Sequence, residues 1–376
     1  MRRGLKQQIL HDIDSFEPVS IFLTGPRGAG KTFLALDIAR SYKNSLYLNC
    51  ERAEDAVILR DKRRCLADLV VFDAIHELPN WQEFAAELIV SPSANAVVIG
   101  DTRLDALLAT YPAQNRGRVF SYRVFPFTPA ELAAADGSAE ITRLLNRGGF
   151  PEPFLSGSDS LAQNWRERRI EQLFSEDIPK FSLIYDTAAM RRCLEFLQRS
   201  AGAPVSYTLV KREAGIANVT AKKYFHILEA LDIIFLVRPF SQRIPRAIKK
   251  EPKVYFYDTG MVADAGKKLE NLAALSLLRE ADCMSREQGV TAALRYAQTR
   301  DNQKIDFCFV KNNTPHFFAK VSALETADKS LRYFCRAHGV RGIQIVQNLE
   351  HEYRCSAKPG IDMEIRRADK FLGSLL

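Results

Sequence analysis

The first third of the chain alternates between two patterns. Short, nearly continuous apolar runs occur at Val19–Leu23, Ser45–Leu48, Leu69–Phe72, Ala96–Ile99 and Arg118–Phe125. Before and between them lie segments apolar at helical spacing, at Leu5–Phe16, Phe33–Arg40, Trp81–Leu88 and Leu104–Leu108. Strands that alternate with helices, and that are apolar along their whole length, predict an α/β fold with a parallel sheet covered on both faces. Cys50–Asp55 reads as a loop.

The rhythm then changes. Gly148–Pro153 is a glycine- and proline-rich joint, and Leu161–Ile178 reads as a helix rich in Arg and Glu. Met190–Ser200 is helical, with Met190, Cys193, Leu194 and Leu197 on one face. A short helix starting from Ser206 or Thr208 runs through Ala214 and stops at Gly215. Thr220 caps a further helix through Leu231, with Tyr224, Phe225, Ile227 and Leu228 inward. Ile233–Val237 and Lys253–Tyr257 read as strands joined by a basic, proline-containing loop. Three helices and a two-stranded ribbon predict a winged helix-turn-helix with Lys222, Lys223 and His226 outward.

The junction between the first apolar run and the helix after it carries the chemistry. Gly25, Pro26, Arg27, Gly28, Ala29 and Gly30 lead into Lys31, Thr32 and Phe33. This is a complete Walker A pattern between a strand and a helix, the context that makes it informative. The glycines let successive amide N–H groups approach one anion, and the helix adds its positive end. Lys31 is placed to reach the terminal phosphates of ATP and the Thr32 hydroxyl to bind Mg²⁺. The competing reading, a glycine-rich turn without a ligand, does not account for the full spacing.

Asp73 closes the apolar run Leu69–Phe72, the Walker B position whose carboxylate serves Mg²⁺; its alternative role is to terminate the strand. A Glu usually follows and orients the attacking water, but this chain has Ala74. Glu77, three residues on, is the nearest substitute, or else a solvated loop carboxylate.

At 376 residues the chain exceeds one usual core. Its net charge of +8 is concentrated between residues 205 and 253, where ten cations face four acids. A basic helix and basic wing suit duplex phosphates, and equally suit a solvated face or a protein contact. The seven cysteines form no Cys-x-x-Cys pair, so reduced thiols in a cytoplasmic protein are expected, with neither zinc nor a disulfide framework. Met1–Leu10 is basic without an apolar segment behind it, unlike a secretion signal, and no apolar run approaches the length that spans a bilayer.

Together these residues resemble a bacterial and archaeal group of AAA+-like ATPases with an N-terminal P-loop domain. The segments that carry the resemblance are Gly25–Thr32, Val71–Trp81, Gly117-Arg118 with Phe125-Pro126-Phe127 and Glu131, Gly148–Glu152, and Lys253–Gly260. The resemblance implies that Gly100-Asp101-Thr102 sits at a γ-phosphate sensor, with Thr102 able to donate and the Asp101 carboxylate repulsive. It gives Arg118 either a nucleotide contact or a strand-anchoring role, and makes Asp258 a cap.

The resemblance further implies a C-terminal α/β domain like the PD-(D/E)xK restriction endonucleases, in which Glu270, Asp306 and Lys320 match the site. Phe318 stands where a metal-binding Glu belongs, so that site is expected to be degenerate. The expected domains are 1–150 for ATP binding, 151–185 as a helical linker, 186–258 as the winged helix and 259–376 as the nuclease-like part. The expected function is an ATP-binding switch with slow hydrolysis. The alternative is a DNA-binding protein in which nucleotide is secondary. The partner, DNA or protein, and the oligomeric state stay open.

Overall fold

The computed structural model describes residues 4–59, 67–90, 94–111, 118–184, 186–240, 251–299, 301 and 303–376. Cys65, Gly117 and the wing cations Arg243, Arg246, Lys249 and Lys250 lie outside the described residues. The chain forms two compact units, one of residues up to Pro126 together with Ala230–Asp232, the other of Phe127–Glu229 and Ile233–Leu376.

In the first unit α1 (Leu5–Ser15), β1 (Ser20–Thr24), α2 (Lys31–Ala39), β2 (Ser45–Asn49) and α3 (Ala53–Leu59) come first. β3 (Leu69–Asp73), α4 (Trp81–Val90), β4 (Ala96–Ile99), α5 (Thr102–Thr110) and β5 (Val119–Arg123) complete it. The five strands order β2-β3-β4-β1-β5, and every pairing is parallel. β1, β3 and β4 are buried at every position, which is why they are apolar without alternation. One face of the sheet packs Phe22, Phe72 and Val98 against Trp81, Leu88 and Leu104. α3 begins at Ala53, inside the stretch expected to be a loop. The fold is that of a P-loop NTPase.

The second unit opens with α6 (Pro129–Asp136), α7 (Ile141–Arg147), α8 (Pro151–Leu155) and α9 (Asp159–Gln172). A π-helical turn over Leu173–Asp177 separates α9 from α10 (Ile178–Phe181), so the expected single helix is in three parts. α11 (Thr187–Arg199), α12 (Tyr207–Ala214) and α13 (Asn218–Ala230) follow, then β6 (Ile234–Pro239) and β7 (Lys253–Phe256). Asp186 caps α11 and Ser206 caps α12, each accepting a backbone N–H of the first turn, while Gly215 ends α12 at φ 69°. α13 starts at Asn218, two residues before the expected Thr220.

The remaining elements are α14 (Ala265–Gln288), β8 (Ala292–Gln298), β9 (Lys304–Lys311), β10 (Thr314–Val321) and α15 (Lys329–His338). After them come β11 (Gly342–Val346), β12 (Tyr353–Lys358), β13 (Ile361–Arg367) and α16 (Ala368–Gly373). A mixed eight-stranded sheet runs β12-β13-β11-β10-β9-β8-β6-β7. β6 and β7 pair antiparallel, as the ribbon required, but β6 also pairs with β8 through Arg238 and Pro239. The ribbon is therefore the edge of the larger sheet. No helix among the described residues is long and apolar enough to cross a membrane.

One buried ion pair ties this unit together. The Arg166 guanidinium on α9 meets Asp258 (Nε to Oδ2, 2.8 Å), the Arg147 carbonyl (3.1 Å) and Gln163 (2.9 Å). Asp258 also accepts from the Gly260 N–H, the cap expected of it. A Cβ on Gly260 would overlap the Arg166 guanidinium, and one on Gly148 the Asp258 carboxylate. Gly260→Ala must therefore break a buried charge pair, and should cost about 3 kcal/mol of stability. Gly157, with open space around it, is the control, and its Ala variant should change stability by less than about 0.5 kcal/mol. Urea unfolding followed by tryptophan fluorescence compares the two; equal stabilities would refute the tight fit.

Candidate functional site

The loop after β1 folds as its glycines require. Gly25 takes φ 118° and lies so close to the Val124 carbonyl that a Cβ would overlap it; Gly28 and Gly30 are also left-handed. α2 starts at Lys31 directly after Gly30. The Lys31 ammonium folds back to donate to the Gly25 carbonyl (2.6 Å) and the Pro26 carbonyl (3.0 Å). Burial lowers its pKa to about 8, although Asp232 and Asp73 act in the opposite direction. Arg27 and Thr32 are exposed, Ala29 is buried, and Phe33 is exposed on the first turn of the helix.

Parallel register sets Asn49 at the end of β2 beside Asp73 at the end of β3. The Asp73 carboxylate then accepts two hydrogen bonds on one oxygen, from the Thr32 hydroxyl (2.7 Å) and the Tyr47 phenol (2.8 Å). Thr32 and Asp73 thus stand together, as their motifs anticipated. Tyr47 was not anticipated. Its only signal in the sequence is a hydroxyl near the end of a strand, and only the register shows where it points. Burial, and next the hydrogen bond to Asp73, raise its pKa. Thr32 and Asp73 offer hard oxygen donors of the kind Mg²⁺ takes, and so fit that ion.

Ala74 sits at φ 56°, ψ 42° and begins a 3-10 turn over Ile75–Glu77. Ile75 is fully buried beneath it. Glu77 stands against the His76 imidazole, Oε1 to Nε2 3.7 Å. Asp101 caps α5 by accepting the Arg103 N–H, and its charge is met by the Arg103 guanidinium (2.7 Å). The repulsive carboxylate expected there thus has its own cation. The Thr102 hydroxyl donates to the Ala230 carbonyl.

Arg118 is not brought to the phosphate loop. It is exposed at the start of β5, where its carbonyl accepts the Ser20 N–H, while the loop follows the other end of the sheet. The arginine at the loop's end is Arg123, paired in register with Thr24 and bridging Asp105 (2.8 Å) and Asp232. Asp232 is buried at φ 53°, and burial pushes its pKa up to about 6 against the pull of Arg123 and Lys31.

In the second unit, Lys222 and Lys223 are exposed on α13, and Lys223 donates to the Leu183 carbonyl (2.8 Å). Glu270 on α14 and Asp306 on β9 do come together, but on the ammonium of Lys253. Lys320 turns instead to Asp328 (2.9 Å). Phe318 is fully buried against Phe334 and His338, in a place that would not accept a carboxylate. Among the described residues no three His, Cys, Asp or Glu gather as a metal site.

Residues 18–133 match a family described as an AAA domain, and residues 138–273 match a domain of unknown function, DUF8612. An uncharacterized protein of Mycobacterium tuberculosis, Rv2008c, is 24% identical over 349 residues, covering 89% of this chain and 78% of its own. The uncharacterized protein Mb2031c of Mycobacterium bovis matches to the same extent. Among solved structures, the Walker-type ATPase PABY2304 of Pyrococcus abyssi aligns over 69% of this chain and 93% of its own, at 13% identity and TM-score 0.44. CDC6P of Pyrobaculum aerophilum aligns over 62% and 88%, at 16% identity and TM-score 0.30. The loop geometry and the matched AAA domain together make the first unit a nucleotide-binding P-loop ATPase domain.

The lowered pKa of Lys31 gives nucleotide binding a pH signature. The ammonium is the form that attracts phosphate, and free protein loses it as pH rises through about 8. The dissociation constant for ATP should rise about tenfold from about pH 8.5 to 9.5. Proton uptake on binding should appear in that window when calorimetry is repeated in buffers of different ionisation enthalpy. An affinity flat across it, with no proton uptake, would contradict the assignment.

Proposed function

We propose that this protein is an AAA+-like ATP-binding switch that hydrolyses its nucleotide slowly. The observation that carries this reading is an intact phosphate loop beside a position that lacks the usual carboxylate. Lys31, Thr32 and Asp73 meet in one place, while the residue after Asp73 is Ala74. On binding, the Lys31 ammonium would exchange the Gly25 and Pro26 carbonyls for phosphate oxygens, which are stronger partners for a cation, and the loop amides would donate to the same oxygens. Thr32 and Asp73 would hold Mg²⁺, which supplies charge neutralisation at the β- and γ-phosphates. A methyl group at position 74 neither orients nor deprotonates water, so the attacking water lacks its usual partner.

Asp232 supports the switch half of the reading. Its carboxylate occupies Arg123 and acts on Lys31, two cations that a terminal phosphate would also seek. Nucleotide and carboxylate compete for the same charges, which links occupancy of the loop to the position of Asp232. Duplex DNA is the second reading for a partner. It is favoured by Lys222 and Lys223 standing exposed on α13, whose Tyr224, Phe225 and Leu228 are buried.

Two measurements test the switch. Lys31→Ala should abolish ATP binding in a calorimetric titration, and unchanged affinity would remove the nucleotide from the proposal. Ala74→Glu should raise phosphate release about 100-fold over the native chain, the usual worth of a positioned general base. Rapid native turnover that Ala74→Glu does not improve would overturn slow hydrolysis.

A salt-dependent gel shift of duplex DNA tests the second reading. Binding should weaken on joint Lys222→Glu and Lys223→Glu substitution, and absence of salt-sensitive binding would remove DNA as the partner.

A further inference from the structure

Lys253, the first residue of β7, is buried with its ammonium inside the second unit. It donates to Glu270 Oε1 at 3.0 Å and to Asp306 Oδ1 at 3.2 Å, bridging a helix and a strand that approach from different parts of the chain. Every other carboxylate oxygen of the cluster is also engaged. The Tyr255 phenol donates to Glu270 Oε1 (2.8 Å), Lys267 to Glu270 Oε2 (2.9 Å) and the Val321 N–H to Asp306 Oδ2 (3.1 Å). The Tyr296 ring lies 5.8 Å from the Lys253 ammonium, and Gly202 closes over the Glu270 carboxylate with no room for a Cβ. Two cations and two anions make the cluster neutral. Burial alone would lower the Lys253 pKa, but Asp306 and Glu270 outweigh it and hold the ammonium above its ordinary range.

We propose that Glu270 and Asp306 form a cation site whose resident cation is the Lys253 ammonium rather than a divalent metal. The site therefore takes up no Mg²⁺ and supports no metal-dependent cleavage of phosphodiesters. On β10, the strand that would supply further donors, Lys320 is turned to Asp328, and Phe318 belongs to the core. A divalent ion would need lone pairs that are already spent on four donors, and would have to displace a tethered ammonium held at both ends. The ammonium also performs a structural task that a free ion would perform only when bound: it fastens β7 to α14 and β9 permanently.

Removing the ammonium should expose the latent site. The probe is Mn²⁺ without nucleotide, followed by electron paramagnetic resonance, in the full chain carrying Asp73→Asn, which removes the carboxylate ligand beside the phosphate loop. The parent chain should show no saturable uptake. Lys253→Met, which keeps the side-chain length and removes the charge, should gain one Mn²⁺ with a dissociation constant of ~1 mM or tighter. Mn²⁺ should also raise its melting temperature. Adding Asp306→Asn should abolish both gains.

Saturable uptake by the parent that disappears with Asp306→Asn would overturn the proposal. So would a folded Lys253→Met chain that gains nothing. If Lys253→Met does not fold, Lys253→Gln replaces it, since its amide still donates to one carboxylate. The parent measurement decides independently of either variant.

Discussion

A guanidinium taken out of water must find a carboxylate and carbonyl oxygens, and much of the second unit is arranged to supply them to Arg166. Its partners come from α7, from α9 itself and from the turn after β7. The arrangement closes only because Gly148 and Gly260 leave space for the Asp258 carboxylate and the guanidinium. Two sequence segments about a hundred residues apart, Gly148–Glu152 and Val254–Gly260, are therefore halves of one contact. Their glycines are read as a joint and a turn when taken singly. In the fold they are the walls of a cavity filled by an ion pair, and removing one partner would leave the other charge buried and unpaired.

The same constraint explains which parts of the fold could be read from the sequence. β1, β3 and β4 were legible because both faces of a parallel sheet are covered, leaving no polar position to break the run. The phosphate loop was legible because its chemistry is local: glycines, lysine and threonine act within eight residues of one another. Tyr47 and Arg123 were not legible. Each is an ordinary residue near a strand end until the register sets it beside Asp73 or Thr24. Arg118, singled out by its neighbours in sequence, lies at the wrong end of β5, five residues and one strand length from the loop. Helix starts drifted for a related reason. Thr220 is a good cap by type, but α13 had already begun at Asn218.

Lys253 shows the limit most sharply. Glu270, Asp306 and Lys320 are the residues the resemblance selects, and the structure does bring the two carboxylates together. The cation between them comes from outside that set, from the first position of β7, a lysine that the sequence placed only within a basic stretch. Spacing along the chain reports acids and bases but not which of them neutralise one another. That depends on the crossing of β7, α14 and β9, and no local pattern encodes a crossing.

Ala74 raises the question of what its backbone is for. A left-handed conformation costs a non-glycine residue of order 1 kcal/mol, and such strain persists where the surroundings impose it. Here the imposition is visible. Asp73 is fixed by Thr32 and Tyr47, and Ile75 is fully buried in the core two residues later. The chain has one residue in which to turn from one to the other, and Ala74 takes the turn at φ 56°. The strain serves the placement of Asp73, so the turn would be required whatever side chain stood there. On the proposed reading, the missing hydrolytic carboxylate is a matter of side chain alone, since the backbone that would carry it is imposed by Asp73 and Ile75.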